Sequence, residues 1–94
     1  MQTEQLNIFF QRIAHDPRIG ISHISVFCAI LQLSIAGGEE PVYFKSDEVM
    51  RVSKISGLAT YHRCIRDLHD YGYIRYVPSY NHRKKNRVYF HSVN

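Results

Sequence analysis

The spacing of the apolar residues changes at Gly72, and this change limits the folds that the chain can adopt. Before Gly72, apolar side chains recur every three or four residues in four stretches, as in amphipathic α-helices. After it, two runs rich in β-branched and aromatic residues, 73–77 and 87–91, flank a polar segment and predict a β-hairpin. A short strand is expected at 41–44, on a sheet edge because Pro41 cannot donate to a ladder. The sequence therefore predicts an α+β fold that is mainly helical.

Residues with capping or stopping tendencies mark the ends of the first two helices. Thr3 is the expected N-cap of the first helix, and Pro17 ends it because the residue before a proline is disfavoured in the α region. Ser22 is the expected N-cap of the second helix, which is apolar around most of its circumference. The pair Gly37-Gly38 then supplies a left-handed stop.

Two shorter helices follow, separated by a polar turn. The third begins at Ser46, with two carboxylates in its first turn, where the helix dipole favours negative charge. The fourth runs from about Leu58 to Tyr71, after a glycine-containing turn at 52–57. The residues expected to face inward are Val49, Met50 and Val52 in the third helix and Tyr61, Cys64, Ile65 and Leu68 in the fourth.

The length of the chain and its cysteines restrict the class of protein. With 94 residues, we expect one domain, 1–94, that has little room for a deep substrate cavity. No apolar run approaches the ~20 residues that a membrane span needs, and no secretory leader is recognised at the start. Cys28 and Cys64 form no CxxC motif. We therefore expect a cytoplasmic protein whose reduced thiols fill small core positions.

The sequence contains no pattern typical of a metal site or an active site. Its six histidines include no HxxxH or HExxH motif, and two lone cysteines do not make a zinc site. Tyr73, Tyr76 and Tyr89 alternate along the predicted strands, where cross-strand packing is the ordinary role of aromatic side chains. We expect no enzymatic activity, no metal or other cofactor, and no small-molecule substrate.

The two halves of the chain differ in charge. Residues 1–44 hold two basic and four acidic side chains, a net charge of −2, whereas residues 45–94 hold ten and four, a net charge of +6. Four of these cations lie within residues 83–87, at the tip of the predicted hairpin. Like charges gathered in this way repel one another, and counterion release on binding a polyanion offsets that repulsion. The basic half therefore favours a nucleic-acid partner.

The order of the elements and one stretch of sequence resemble a known family. Residues 59–74 read A-T-Y-H-R-C-I-R-D-L-H-D-Y-G-Y-I, which is similar to the recognition-helix pattern of winged helix-turn-helix domains, the DNA-binding unit of many small bacterial regulators. The resemblance covers residues 22–92, with the helix-turn-helix at about 46–71 and the wing at 73–91, after an N-terminal helical extension at 1–16. It implies sequence-specific binding of double-stranded DNA, by a transcriptional regulator or by an accessory factor in replication or mobile-element excision.

The fourth helix would then be the recognition helix. With its apolar stripe inward, Ala59, Arg63 and Arg66 lie on the opposite face, and Thr60 and His62 flank that face. The N-terminal residues of such a helix reach base edges in the major groove. We therefore expect base contacts from Ala59, Thr60, His62 and Arg63, with the Arg63 fork matched to guanine. The residues expected to contact the DNA backbone are Lys54, Arg66, Tyr80, Asn81, His82, Arg83, Lys84, Lys85 and Arg87.

Other interpretations of the basic residues are open at this stage. Arg63 and Arg66 can instead pair with carboxylates four residues on, Asp67 and Asp70, and simply solvate an exposed helix. The basic face can also dock an acidic protein, as a winged-helix interaction module, or bind RNA with tyrosines stacked on bases. Binding to random duplexes that weakens steeply as salt rises distinguishes a DNA binder from the protein-docking module. A competition between duplex DNA and single-stranded RNA distinguishes it from an RNA binder.

A homodimer is a further hypothesis. The first helix carries the apolar residues Leu6, Phe9, Phe10 and Ile13, and the second helix is apolar over more of its surface than a core of four elements requires. Two protomers would contact DNA half-sites about one helical turn (~34 Å) apart. A monomer in sedimentation experiments would remove this hypothesis.

Overall fold

A computed structural model describes residues 2–38, 40–81 and 83–90. Within these ranges the chain forms four helices and a three-stranded antiparallel sheet, so the predicted α+β, mainly helical class is confirmed. In chain order the elements are α1 (Gln2–Ile13), α2 (Ile21–Gly37), β1 (Val42–Phe44), α3 (Ser46–Ser53), α4 (Leu58–Asp70), β2 (Ile74–Val77) and β3 (Asn86–Phe90). None of the helices in the described ranges has the length and apolar character that crossing a membrane requires.

The helix ends agree with the sequence where glycine or a first-turn carboxylate sets them. Gly38 stops α2 with a φ of 80°, in the left-handed region, as predicted. Helix α3 starts at Ser46 as predicted, and the Glu48 carboxylate accepts a hydrogen bond from the Lys45 N–H at 2.8 Å. Gly72, with a φ of 85°, follows the end of α4. These ends follow from local chemistry alone.

The predicted N-caps of α1 and α2 are wrong. Helix α1 already includes Gln2, so Thr3 lies inside it. Helix α2 begins at Ile21 with Gly20 as its N-cap, and Ser22 lies in its first turn. The imidazole of His23 explains the second difference, because its Nδ1 accepts the Gly20 N–H at 3.0 Å and closes the turn before Ser22 is reached.

Helix α2 lies at the centre of the core, where it contacts α1, α3, α4 and β1. Val26, Phe27 and Ile30 on α2 are almost completely buried. Helix α3 contributes Val49 to this core, and Met50 packs partly against it. The prediction that Val52 faces inward is wrong, because its side chain is 38% exposed in the last turn of a helix of eight residues.

Helix α1 packs on the chain's own core. The rings of Phe9 and Phe27 stack with centroids 3.8 Å apart and planes 3° from parallel. Leu6 and Ile13 are partly buried against the same core, whereas Phe10 is 43% exposed. The apolar stripe of α1 is therefore largely covered within one chain, and of the four residues in the dimer hypothesis Phe10 is the exposed one.

The sheet has the strand order β1–β3–β2, which confirms the predicted hairpin and places β1 on an edge after Pro41. Both hairpin strands start one residue away from the prediction. Strand β2 begins at Ile74 and not at Tyr73, and β3 begins at Asn86 and not at Arg87. His91, the predicted end of β3, lies outside the described residues. Tyr73 therefore precedes β2 and has no cross-strand role. Its ring is buried edge-on against Phe9, with centroids 5.5 Å apart.

A hydrogen-bonded carboxylate ties the α1–α2 connection to the start of β2. The Tyr73 hydroxyl donates to Asp16 Oδ2 at 2.6 Å, and Arg18 Nε and Nη2 donate to the same carboxylate at 2.8 and 2.9 Å. The Arg18 guanidinium also lies 3.8 Å from the centroid of the Tyr71 ring. The hydrogen bonds from Arg18 and Tyr73 hold the pKa of Asp16 well below its usual range.

We expect Asp16→Asn to destabilise the fold at neutral pH, because Arg18 loses its charged partner while the amide oxygen still accepts from Tyr73. A carboxylate with a lowered pKa stabilises the fold above its unfolded pKa of about 3.9, and that contribution is lost as pH falls below this value. The stability difference between wild type and variant should therefore shrink below about pH 4 in urea unfolding followed by circular dichroism. Asp70→Asn, at an exposed carboxylate, serves as the control and should cause no comparable loss. A difference that stays constant with pH would contradict the role given to Asp16.

Candidate nucleic-acid interface

Helix α4 separates an apolar and a polar face as its periodicity predicts. Its buried residues are Tyr61, Cys64, Ile65 and Leu68. Of the four predicted base-reading residues, Ala59, His62 and Arg63 are exposed and Thr60 is half-buried. Arg66, predicted to contact phosphate, is exposed on the same face. The structure therefore brings the predicted α4 residues together on one outward surface.

Two arginines, Arg63 and Arg66, lie on this surface. Within the described ranges, neither Arg63 nor Arg66 forms an ion pair. The alternative in which Arg63 pairs with Asp67 is wrong, because Asp67 Oδ2 lies 2.8 Å from His23 Nε2 instead. Both guanidinium groups are available to an anion from outside the chain.

The His23–Asp67 pair fixes α4 against the start of α2. His23 Nδ1 accepts a hydrogen bond from the Gly20 N–H. In the neutral ring the hydrogen is therefore on Nε2, which donates a hydrogen bond to Asp67 Oδ2. The His23 side chain is almost completely buried, and its partner is 44 residues away along the chain. Sequence reasoning missed this pair, since no local pattern links residues at that separation.

A groove of about 340 Å³ runs between α4 and the hairpin. From α4 it is lined by His62, Ile65, Arg66 and His69, and from the hairpin side by Tyr76, Pro78 and Tyr80. Ile65 on the α4 side is buried, whereas Tyr80 on the hairpin side is 94% exposed. The outward face of α4 and the hairpin therefore form one continuous surface.

A hydrogen bond from strand β2 to α4 sets the position of the hairpin. The Tyr76 N–H, on the strand edge away from β3, donates to His69 Nδ1 at 3.0 Å. This bond leaves the Nε2 of His69, which lines the groove, to face other partners. Sequence reasoning did not single out His69, although its place in the last turn of α4, one residue before the helix ends, puts it beside the following strand.

The hairpin tip presents the predicted cations to solvent. Arg83, Lys84, Lys85 and Arg87 are all exposed. Lys85 has a distant partner, with its Nζ 3.9 Å from Glu48 Oε1. Such a long, exposed contact is worth little, so most of the positive charge of the tip is free to act on a ligand.

The other predicted backbone contacts are placed less uniformly. Asn81 is exposed, but its Oδ1 accepts the Arg83 N–H at 2.9 Å and so helps to shape the tip. Lys54 is exposed at the end of α3, where it adopts a left-handed φ of 65°. His82 lies outside the described residues. Lys54 and Asn81 are therefore both exposed, at the α3–α4 turn and in the hairpin loop respectively.

The remaining reactive side chains do not cluster. Within the described ranges, no three His, Cys, Asp or Glu side chains are placed to hold a metal ion. Cys28 is half-buried and Cys64 is buried, both as free thiols, and burial raises the pKa of each. The Tyr61 hydroxyl is buried, and this burial raises its pKa to about 12 against the opposing effect of a side-chain hydrogen bond with Ser46. In all three groups burial favours the neutral, protonated form over the anion.

We expect His69→Ala to loosen the hairpin, because the Tyr76 amide loses its acceptor. The amide of Tyr76 should exchange with solvent about fivefold faster, since one such hydrogen bond contributes ~1 kcal/mol. Hydrogen exchange measured by NMR gives the rate. His62→Ala removes an exposed imidazole from the same helix and should leave that rate unchanged. Equal exchange rates in the two variants would contradict the role of His69.

No protein-family model, curated protein or solved structure matches the chain. In the part of the chain that the structure describes, the basic side chains in question lie on the outward face of α4, in the groove beside it, and on the hairpin.

Proposed function

We propose that this chain is a winged helix-turn-helix protein that binds double-stranded DNA sequence-specifically, as a transcriptional regulator or as an accessory factor in replication or mobile-element excision. One observation carries the proposal: Arg66 on α4, which forms no ion pair with another described residue, lines a groove whose opposite wall is the hairpin that carries the exposed cations of residues 83–85 and 87. A polyanion that lies across both elements would offset this positive charge.

The order of the elements supports the winged helix-turn-helix assignment. From α2 onward the chain runs helix, strand, helix, helix and hairpin, and β1 adds to the hairpin as its third strand. The connection between α3 and α4 is short, residues 54–57, and both helices pack on α2. In this assignment α4 is the recognition helix and the β2–β3 hairpin is the wing.

Helix α4 has the properties that a major groove requires. Its outward side begins with the small Ala59, which permits a close approach to a thymine methyl group. One turn later the exposed Arg63 presents five fixed N–H donors, a fork that matches guanine O6 and N7. Arg66, a further turn along and facing the hairpin across the groove, is placed for a phosphate.

The hairpin supplies contacts that carry no sequence information. Its exposed cations at the tip match phosphates, which hold the protein in register while α4 reads bases. Tyr80 projects from the groove wall beside Pro78 and can lie along the sugar–phosphate backbone. Because these contacts release counterions, we expect affinity to depend steeply on salt.

Arg63→Ala should weaken binding to a selected duplex by about 1–3 kcal/mol and relax the preference at one base position, because the guanidinium fork is lost. Selection of bound duplexes from a random pool, followed by fluorescence anisotropy, measures both effects. Arg63→Lys keeps the charge without the fork, so it should relax the preference while keeping the salt dependence. An unchanged base preference in both variants would remove Arg63 from the base-reading set.

Replacing Arg83 and Lys84 together with alanine should weaken binding to all duplexes alike. The slope of log K against log salt should become shallower by about 0.9 for each phosphate contact that is lost. Arg51→Ala removes an exposed cation of α3 outside the predicted contacts and serves as the charge control. An absence of duplex binding even at low salt would overturn the proposed function.

A further inference from the structure

The outward face of the sheet is built from aromatic and basic side chains. Side chains alternate along each strand, and one set, Val42, Phe44, Ile74, Val88 and Phe90, is buried in the core. The opposite set is Tyr43, Arg75, Val77, Arg87 and Tyr89, and this set is here called the outer sheet face. None of the three strands contains an acidic residue. The outer sheet face is therefore aromatic and positively charged.

The strand register places these side chains in two adjacent rows. Arg87 pairs with Tyr43 on one side and with Val77 on the other, which forms the first row. Arg75 pairs with Tyr89 in the second row, and its guanidinium lies 5.1 Å from the centroid of the Tyr89 ring. Tyr43 and Tyr89 are thus diagonal neighbours, roughly 7–8 Å apart along the sheet. Arg87 is therefore next to both rings, opposite Tyr43 and two residues before Tyr89 on β3.

The side chains of the outer sheet face differ in how far they are exposed to solvent. Tyr43 is 55% exposed on the edge strand, although burial of its aromatic ring would stabilise the fold. Arg75 and Arg87 are exposed, and Tyr89 is half-buried beneath the Arg75 guanidinium. The planar groups that a ligand can reach on this face are therefore the Tyr43 ring and the Arg75 guanidinium.

We propose that the outer sheet face binds single-stranded DNA. Unpaired bases would stack on Tyr43 and on the Arg75–Tyr89 pair, while Arg87 and Lys84 bind the phosphates between them. Aromatic rings and arginine planes on a basic surface bind single strands without sequence preference, because every base has a π-face. In a duplex the bases are paired and stacked inside, so their faces cannot stack on the side chains of this surface.

This surface shares only cations of the hairpin with the duplex surface of the proposed function. A second groove, of about 410 Å³, lies on the outer side of the hairpin and is lined by Tyr43, Val77, Pro78, Ser79, Lys84, Lys85 and Arg87. Pro78 lines this groove and also the groove beside α4, so the hairpin forms the wall between them. The cations of the tip serve both surfaces, whereas Tyr43, Arg75 and Tyr89 belong to the outer sheet face alone.

The test compares two replacements of Tyr43 that leave the charge unchanged. Tyr43→Phe keeps the ring, whereas Tyr43→Leu keeps apolar bulk without it. Anisotropy with a labelled oligothymidine of about 12 nucleotides should show binding by the full chain, retained by Tyr43→Phe and weakened about tenfold by Tyr43→Leu. The salt slope should not change in either variant. Thermal unfolding checks that both variants fold alike.

Arg63→Ala makes this inference and the proposed function separable. It should weaken duplex binding and leave oligothymidine binding unchanged. Tyr43→Leu should weaken oligothymidine binding and leave duplex binding unchanged. If the chain binds no oligothymidine at low salt, or if Tyr43→Leu binds it as tightly as wild type, the inference is overturned. If duplex binding fails but Tyr43-dependent oligothymidine binding persists, the inference stands and the duplex proposal falls.

Discussion

Burial of helix α2 is the constraint on which the rest of the structure depends. Its Phe27 ring stacks on Phe9 of α1 and meets Phe90 of β3 edge-on at 5.4 Å, so one side chain joins the N-terminal helix, the central helix and the sheet. Each large apolar side chain buried there contributes about 1.5–3 kcal/mol. Helix α4 packs on α2 through its own apolar stripe, and the His23–Asp67 hydrogen bond fixes where α4 lies relative to the start of α2. The orientation of the cationic face of α4 therefore follows from packing on the opposite side of the helix.

The faces of α4 could be predicted from sequence because helical periodicity is local. Once Tyr61 and Leu68 are placed inward, the geometry of the helix turns Ala59 and Arg63 outward. The partner of Asp67 could not be predicted in the same way. The carboxylate lies four residues from Arg63, a spacing typical of a surface ion pair, yet it bonds to a histidine from another helix. Only the packing of α2 against α4 brings these two groups together.

The hairpin shows the same limit in a different form. Its existence and its cationic tip follow from two β-rich runs around a polar segment, but the register between three strands does not. A start one residue later than predicted moves Tyr73 out of the strand and into a hydrogen bond with Asp16. Register also decides that Tyr43, from a strand more than thirty residues earlier, lies opposite Arg87. The outer sheet face is therefore visible only in three dimensions.

The two edges of the sheet have a consequence for how copies of this chain meet. Free strand edges present unpaired N–H and C=O groups that can pair with a strand of another molecule. Here one edge strand, β1, has three residues and follows Pro41, and on the other edge the Tyr76 N–H is already bound to His69. Both features disfavour strand addition, since short edges and occupied donors leave little to pair with. Edge-to-edge pairing of two copies is thus disfavoured, although Tyr43, Arg75 and Arg87 on the broad face of the same sheet are exposed.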